Sequence, residues 1–147
     1  MNLRKATIKD AKDLFDIAND PVTRKNSFSE KPIEWENHIY WLSDKLLDKN
    51  CLFYVGVEDE KVCGSIRFDI KGKKAIISYS VAPAFRGKGI GTKLLLMAEE
   101  FVKNEAGKIE LIGEVKTDNE ASKKCFIKNG YVYKGKTLTE AVYSKML

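Results

Sequence analysis

A glycine-rich segment with two basic residues is the part of this 147-residue sequence best suited to chemistry. It reads Arg86-Gly87-Lys88-Gly89-Ile90-Gly91 and follows a β-rich run, Ala75 to Val81, that is broken at Pro83. An amphipathic helix pattern begins directly after it. Glycines let the backbone approach a ligand closely, and the free N–H groups at a helix start attract anions. Because Arg86 and Lys88 add positive charge, the segment predicts a loop that binds a phosphate or a diphosphate.

The glycine spacing excludes the two most familiar nucleotide-binding loops. A dinucleotide fingerprint requires Gly-x-Gly-x-x-Gly, whereas the glycines here fall as Gly-x-Gly-x-Gly. A Walker loop requires Gly-Lys followed by Ser or Thr after a four-residue gap, and the sequence has none. A phosphate-binding NTPase is therefore a weak rival, since the residue that would hold magnesium is missing.

The segment from Arg86 to Gly91 resembles the Arg/Gln-x-x-Gly-x-Gly/Ala loop of the GCN5-related N-acetyltransferases (GNAT). Arg86, Gly89 and Gly91 stand at the matching positions. In that family the loop binds the diphosphate of acetyl-coenzyme A (acetyl-CoA), and the preceding strand hydrogen-bonds the pantetheine arm. The strand here ends in Val81-Ala82-Pro83, as the pantetheine strand of the family usually does. An isolated strand, glycine loop and helix would indicate only a tight turn, so the identification also depends on a second motif.

The second motif lies downstream at the distance expected for the family. Asn119, Ser122, Gly130 and Tyr131 fit a pattern in which Asn is followed by a small residue, then Tyr, then Gly-Phe. Phe126 departs from it, since many members carry there the tyrosine thought to protonate the leaving thiolate. We interpret Phe126 as a ring packed under the cofactor arm. Three consequences stay open: protonation by water or another hydroxyl, departure of a thiolate stabilised by N–H dipoles, or loss of catalysis.

The resemblance implies acetyl-CoA as the acetyl donor and no metal. A backbone N–H near Val81 is expected to polarise the thioester carbonyl. The expected donor contacts come from the end of the strand, the glycine loop and the second motif: Ser80, Val81, Ala82, Arg86, Gly87, Lys88, Gly89, Ile90, Gly91, Thr92, Asn119, Ser122 and Phe126.

Acyl transfer to an amine requires the neutral amine, so a base must remove its proton. Glu114 is the candidate, because its spacing from Asn119 resembles that of the proposed base in the ribosomal-protein N-terminal acetyltransferases. Strand alternation alone leaves open whether Glu114 faces a pocket or the solvent. The single histidine, His38, lies on the apolar face of a helix predicted over Glu34 to Leu47, either as a packing residue or as a proton carrier in the acceptor pocket.

The acceptor is less defined, because the resemblance is looser in the N-terminal half. The N-terminal half is similar to the subgroup that acetylates nucleotide-linked 4-amino sugars of the pseudaminic acid pathway, at Asn19-Asp20-Pro21-Val22, Arg24, Ser27-Phe28, Trp35, His38 and Trp41. Arg24, Phe28 and Trp35 are the candidate acceptor contacts. That likeness implies a sugar nucleotide that stacks on aromatic rings. A helix packed on a sheet explains the tryptophan as well. A peptide N-terminus and a polyamine are alternative acceptors, and a CoA-binding module without catalysis is a rival of another class.

Periodicity predicts the elements that hold these residues. An opening strand over 3–7 is followed by a first helix, and residues 22–30 read as a loop or a short helical turn. Strands over 51–58, 61–70 and 75–81 then form an antiparallel meander. A strand over 109–115 follows the long helix and should run parallel to 75–81. A helix over 120–129 and a closing hairpin follow. The prediction is a single GNAT-like α/β domain over residues 1–147, with a mixed α+β sheet of six to seven strands, about four helices and two splayed parallel strands at the centre.

The composition limits the class of protein and the kinds of partner that it binds. The chain is 44% hydrophobic with a net charge of +5 from scattered lysines, which indicates a solvated surface rather than a nucleic-acid stripe. Three separated cysteines and one histidine give no disulfide framework or zinc site. No apolar run is long enough for a membrane span, so we expect a cytoplasmic protein. The family resemblance implies a small-molecule amine as the substrate, and we expect a monomer or a homodimer.

Overall fold

A seven-stranded sheet forms the centre of the computed structural model, which describes residues 1–147. Its order is β1-β2-β3-β4-β5-β7-β6, and only β4 and β5 are parallel. The strands are β1 (Asn2–Lys5), β2 (Cys51–Glu58), β3 (Lys61–Lys71), β4 (Lys74–Val81), β5 (Glu110–Lys116), β6 (Val132–Lys136) and β7 (Glu140–Met146). The helices are α1 (Ala11–Asn19), α2 (Pro21–Lys25), α3 (Trp35–Leu47), α4 (Ile90–Ala106) and α5 (Glu120–Lys128).

The two parallel strands separate partway along their length. Pairing runs from Lys74 opposite Glu110 to Ile77 opposite Gly113 and stops there. β4 continues to Val81 on β3, and β5 continues to Lys116 on β7. A gap therefore opens between the second half of β4 and the second half of β5, and the β4 edge from Ser78 to Val81 has no strand partner on that side. The predicted mixed sheet with a splayed parallel pair is confirmed.

The sheet carries a helical layer on each face. On one face, α4 and α5 pack through Leu95, Ala98 and Phe126 onto alternate residues of the central strands, including Ile66 and Leu111. On the other face, α1 and α3 form a smaller cluster that includes Leu14, Leu42, Phe53 and Val55. Because strand side chains alternate between faces, every residue of the central strands is assigned to one layer or the other.

Leu94 of α4 is seated between two glycines of the sheet. Gly56 and Gly64 lie directly opposite each other on β2 and β3. A Cβ atom at either position would come within 2.9 Å of a Leu94 methyl carbon, and Leu94 is fully buried. A larger residue at either glycine would therefore push α4 off the sheet.

The segment between β1 and α1 is held by an ion pair and by a hydrogen bond from a backbone N–H. Asp10 receives hydrogen bonds from the Arg4 guanidinium at 2.8 and 2.9 Å and from the Thr7 N–H at 2.8 Å. Burial alone would raise the pKa of Asp10, but the bonds from Arg4 and Thr7 lower it overall. The Thr7 bond bends the chain into a turn, which is why β1 ends at Lys5 and not at Thr7 as the sequence indicated.

Other boundaries differ from the sequence prediction in local ways. The segment after Asp20 forms a fifth helix, α2, because the Asp20 carboxylate accepts hydrogen bonds from the Val22 and Thr23 N–H groups. The closing hairpin begins at Val132 and extends to Met146, slightly later than predicted. The helices are too short or too polar for any of them to cross a lipid bilayer.

Candidate active site

A cavity of about 970 Å³ lies across the gap between β4 and β5. The glycine loop and the start of α5 form one part of its lining. The other part is formed by α1, α2, the loop between α2 and α3, and α3 itself. Most of the residues singled out from the sequence line it. Three do not, namely Ala82, Lys88 and Trp35. A smaller cavity of about 630 Å³, beside Arg4 and Pro83, includes Ala82.

The glycine loop presents a row of unused donors to this cavity. Gly87 and Gly89 both have φ of +74°, a left-handed conformation that favours glycine, and the space where their Cβ atoms would stand is open. None of the backbone N–H groups from Gly87 to Thr92 donates to a protein acceptor. They converge at the N-terminus of α4, where the helix dipole adds partial positive charge. The loop has the properties of an anion site.

Arg86 extends from the loop to the opposite side of the cavity. Its guanidinium donates to Asp20 at 2.5 Å and to the Thr23 hydroxyl at 3.2 Å. Burial opposes ionisation of Asp20, yet the Arg86 bond and the N–H groups of α2 lower its pKa overall. The same carboxylate therefore caps α2 and holds the arginine of the loop. Lys88 instead turns toward Phe85, with its Nζ 5.6 Å from the ring centroid.

The start of α5 contacts β4 through a pair of hydroxyls. Asn119 caps the helix by accepting from the Ser122 N–H at 3.2 Å. The Ser122 hydroxyl is 2.8 Å from the Tyr79 hydroxyl. Tyr79 stands on the unpaired part of β4 and lines the cavity. Burial raises the pKa of Tyr79 above its usual range, so its hydroxyl stays protonated at neutral pH.

Tyr79 is a functional candidate that the sequence analysis missed. Alternation places it on the same face as Ile77 and Val81, and a hydroxyl on the predicted pantetheine strand was a usable signal. The family motif has its tyrosine at the position of Phe126, so the motif does not point to Tyr79. The Tyr79 ring stands edge-on to Phe126, with centroids 5.9 Å apart.

Phe126 is a packed ring with no space beyond its tip. It is 2% exposed, stacks on Tyr143, and meets Tyr131 edge-on. Its Cζ abuts Gly113 so closely that even a Cβ on Gly113 would collide with it. The packing part of the sequence interpretation agrees with the structure.

Glu114 lies at the edge of the gap on the cavity side. Its neighbours Gly113 and Val115 face α5 and the main core, so its own side chain points to the face that carries α1 and α3. Burial raises the pKa of Glu114, and a hydrogen bond with Glu140 of β7 and the charge of that group raise it further. Glu114 lines the cavity and is also exposed to solvent, so it stands at the open side of the cavity and both descriptions left open by strand alternation apply to it.

His38 is a buried residue with one ring nitrogen engaged. It is 2% exposed, and its Nε2 lies 3.0 Å from the Ala11 carbonyl oxygen. Because a carbonyl only accepts, Nε2 carries the proton and Nδ1 retains a lone pair. Burial lowers the pKa of His38, which keeps it neutral. The ring stacks on Trp41 with centroids 5.8 Å apart, and it also lines the cavity.

The three predicted acceptor residues have different surroundings. Arg24 uses its guanidinium to hold the loop after α2, donating to the Ala18 and Ser29 carbonyls and the Ser27 hydroxyl. Phe28 lines the cavity and is 64% exposed. Trp35 packs on Phe15 outside the cavity and is 43% exposed, so its predicted inward position is only partly realised.

Among the cavity residues on this side that were not predicted as site residues are a tryptophan and an arginine. Trp41 lies about two helical turns after Trp35 on α3, and Arg67 comes from β3. No group of three or more histidine, cysteine or acidic side chains lies close enough to hold a metal ion.

Comparison with known proteins identifies the family. The sequence model of the acetyltransferase (GNAT) family matches residues 12–131, which include the glycine loop, Glu114 and the whole second motif. The chain belongs to the acetyltransferase (GNAT) family. It is therefore an N-acetyltransferase domain, in agreement with the prediction. Among curated proteins, none matches this GNAT chain significantly in sequence.

Solved structures agree with the GNAT fold over the full length. The ribosomal-protein-alanine N-acetyltransferase of Brucella melitensis is 23% identical, with all of both chains covered and a TM-score of 0.84. The PaiA N-acetyltransferase of Thermoplasma acidophilum, a complex with coenzyme A, is 23% identical over 99% of this chain and 98% of that one, with a TM-score of 0.82. The spermidine N-acetyltransferase of Vibrio cholerae, bound to CoA and spermine, is 16% identical over 99% and 94%, with a TM-score of 0.85.

Proposed function

We propose that this GNAT domain transfers the acetyl group of acetyl-CoA to a primary amine by direct attack on the thioester. The observation that carries the proposal is the row of unused N–H donors from Gly87 to Thr92, placed where β4 leaves its parallel partner. An anion at these donors and an extended arm along the free edge of β4 would satisfy both sets of unpaired backbone groups.

The donor is held mainly by the backbone in this proposal. The diphosphate lies on the N-terminus of α4, and the pantetheine arm follows β4 from Val81 toward Ser78. Lys124 and Lys128 of α5 line the same cavity and add positive charge for the phosphates. Arg86 joins them by exchanging its Asp20 partner for a phosphate oxygen.

The chemical step needs a base, because an alkyl ammonium ion is not nucleophilic. Glu114 takes a proton from the amine directly or through water, and its raised pKa makes it a stronger base than an ordinary glutamate. The amine nitrogen then attacks the thioester carbonyl carbon. The carbon–sulfur bond breaks, an amide forms, and coenzyme A leaves as a thiolate that takes up a proton. His38 is the second candidate for carrying the amine proton, through its free Nδ1.

The leaving thiolate needs a hydrogen-bond donor, and Phe126 offers none. We assign this role to Tyr79, whose hydroxyl lines the cavity beside Phe126 and stays protonated. Tyr79 and Glu114 lie on opposite faces of the sheet at the gap. The group that assists the leaving sulfur is thus separated from the group that activates the amine.

Three acceptor classes remain candidates for this activity. The names of structural neighbours include a ribosomal-protein-alanine and a spermidine N-acetyltransferase. The pattern of Arg24, Phe28 and Trp35 instead suggested a nucleotide-linked amino sugar. The Arg24 bonds to its own loop leave less of this pattern for a ligand than the sequence indicated.

Calorimetry with acetyl-CoA, followed by thiol release on a panel of amines, tests the proposal. We expect donor binding in about the micromolar to millimolar range, and thiol release only when an amine is present, since direct attack forms no acetyl-enzyme. Binding without thiol release on any amine would favour the non-catalytic CoA-binding module. Absence of donor binding would overturn both readings.

A further inference from the structure

The charge of the cavity lining is strongly one-sided. Glu114 is its only acidic residue, whereas the lining includes three arginines and two lysines. Arg86, Lys124 and Lys128 lie beside the glycine loop and on α5, on the donor side. Arg67 lies away from them on β3, on the face that carries α1 and α3. A donor phosphate therefore does not account for Arg67.

The Arg67 guanidinium is fixed in place but keeps one donor group free. Its Nε donates to Asp69 at 2.9 Å and its Nη2 to the Ser78 hydroxyl at 3.2 Å, while Nη1 has no hydrogen-bond partner. The guanidinium also lies over the Trp41 ring, 5.0 Å from its centroid. These contacts hold it rigidly, with its side chain only 21% exposed.

The local charge balance leaves one positive charge in excess beside Asp69. Asp69 also accepts from Lys45 at 2.8 Å, so one carboxylate serves two cations. Arg24, the other arginine on this side, is different because its guanidinium is occupied by the Ala18 carbonyl of α1 and the Ser29 carbonyl of the following loop. Arg67 is the cation on the acceptor side that has a free N–H and an excess of positive charge.

The register of the sheet relates Arg67 to the proposed base. Arg67 is opposite Ser78, and Ile77 is opposite Gly113, so Ser78 is level with Glu114. Arg67 and Glu114 thus lie level on the same face, two strands apart, which is about 10 Å or slightly more across the gap. A molecule whose amine reaches Glu114 extends naturally over Ser78 toward Arg67.

We propose that the acceptor carries an acidic group, a carboxylate or a phosphate, which binds the Arg67 guanidinium through Nη1 while the amine lies at Glu114. This inference rests on the proposed acetyl transfer and selects among its acceptors. A polyamine is disfavoured, since its second cation would lie against Arg67 with no carboxylate of the lining to receive it. An amine that carries a carboxylate or a phosphate several bonds away fits the charges.

Four homologous series of acceptors test the proposal: ω-amino carboxylates, ω-aminoalkyl phosphates, n-alkylamines and α,ω-diamines of matched chain length. We expect kcat/KM for the best acidic acceptor to exceed that of the matched alkylamine at least ten-fold, with the diamines poorest. The two acidic series separate a carboxylate ligand from a phosphate ligand. Equal values for acidic acceptors and alkylamines would overturn the proposal.

Variants locate the effect at Arg67. Arg67→Met keeps an apolar stem against Trp41 and should remove the preference for acidic acceptors: their KM should rise, and their kcat/KM should fall to about that of the matched alkylamines. Arg67→Lys should retain part of the preference. Lys45→Met is the matched control, because it removes a cation from the same Asp69 network outside the cavity, and it should keep the preference.

Two further outcomes distinguish a failure of the acidic-acceptor proposal from a failure of acetyl transfer itself. If Arg67→Met slows all acceptors equally, Arg67 is structural and the proposal is wrong although acetyl transfer stands. If no amine in any series releases thiol, acetyl transfer itself fails and the acidic-acceptor proposal fails with it. Donor affinity, measured for each variant by calorimetry, should equal that of the original chain.

Discussion

Glu114 and Tyr79 illustrate how two side chains on adjacent strands acquire different roles from their surroundings. Burial raises the pKa of Glu114, and the hydrogen bond with Glu140 and the charge of that neighbour raise it further. Tyr79 is enclosed between β4 and α5 and bonded to Ser122, so its ionisation is suppressed. One group is prepared to take a proton and the other to donate a hydrogen bond.

The Glu114→Gln variant should lower kcat about 10²-fold or more, because a glutamine cannot accept the amine proton. Glu114 acts when deprotonated, so activity should rise with pH through its raised pKa. Removing the neighbouring charge in Glu140→Gln lowers that pKa and should move the rising limb to lower pH. Profiles of kcat/KM against pH measure both effects. If the rising part of the kcat/KM profile stays at the same pH in Glu140→Gln, it does not report the ionisation of Glu114.

Tyr79→Phe should lower kcat about ten-fold while donor affinity is retained, because the leaving thiolate loses one charge-assisted hydrogen bond. Steady-state kinetics and calorimetry give the two quantities. Ser122→Ala is the control, since it breaks the same Tyr79 contact but keeps the phenol. Equal loss of kcat in both variants would indicate a structural role for the hydroxyl pair.

Phe126→Tyr, which restores the family tyrosine, should destabilise this chain and not activate it. The new hydroxyl would be directed at Gly113, where no space is left, and such overpacking costs about 1–3 kcal/mol. Urea unfolding measures the loss. A variant as stable as the original chain and several-fold faster would show that the site accepts an acid at this position after all.

At the scale of elements, the donor side was predictable and the acceptor side was not. The glycine loop, Asn119 and Ser122 each belong to contiguous motifs whose spacing survives in the linear sequence. The other wall combines Trp41 from α3, Arg67 from β3 and residues of α2, and no local pattern brings them together. Helix periodicity predicts which residues share the apolar face of α3, but not which of them reach a cavity. The predicted acceptor contact was Trp35, whereas Trp41 is the tryptophan that lines the cavity.

Gly89→Ala should weaken acetyl-CoA binding more than it weakens the fold. Alanine at positive φ costs about 1–2 kcal/mol, and the resulting shift in the backbone moves the N–H groups at the start of α4. Gly72→Ala is a matched control, because Gly72 also has positive φ and open space but lies in the β3–β4 turn. Thermal melting should give similar losses for both, and calorimetry should show weaker binding only for Gly89→Ala. Equal donor affinities would argue against the loop as the diphosphate site.

At the scale of the whole molecule, ion pairs join segments that are distant in sequence. Asp20 links α2 to the glycine loop, and Asp10 links α1 to β1. The pKa values of both carboxyls are lowered, so the stabilisation from these bonds is present above the pKa of an unfolded aspartate and is lost as pH falls through the folded value. Such links between distant segments are not visible in the sequence.

Asp10→Asn should reduce the free energy of unfolding by about 1–3 kcal/mol at pH 7, because the Arg4 guanidinium loses its charged partner. On acidification the original chain should approach the variant, since protonated Asp10 no longer forms the pair. Urea unfolding at pH 7 and at pH 3 measures the difference in free energy of unfolding between the original chain and the variant. A difference that is constant with pH would mean that packing, not charge, causes the loss.

The seat of Leu94 between Gly56 and Gly64 determines how far α4 can slide along its own axis. The first turn of that helix carries the amides proposed to hold the donor, so two glycines of the antiparallel meander set the position of those amides relative to β4. A substitution at Gly56 or Gly64 would therefore shift the acetyl group relative to the acceptor amine, although neither glycine contacts the donor or the acceptor.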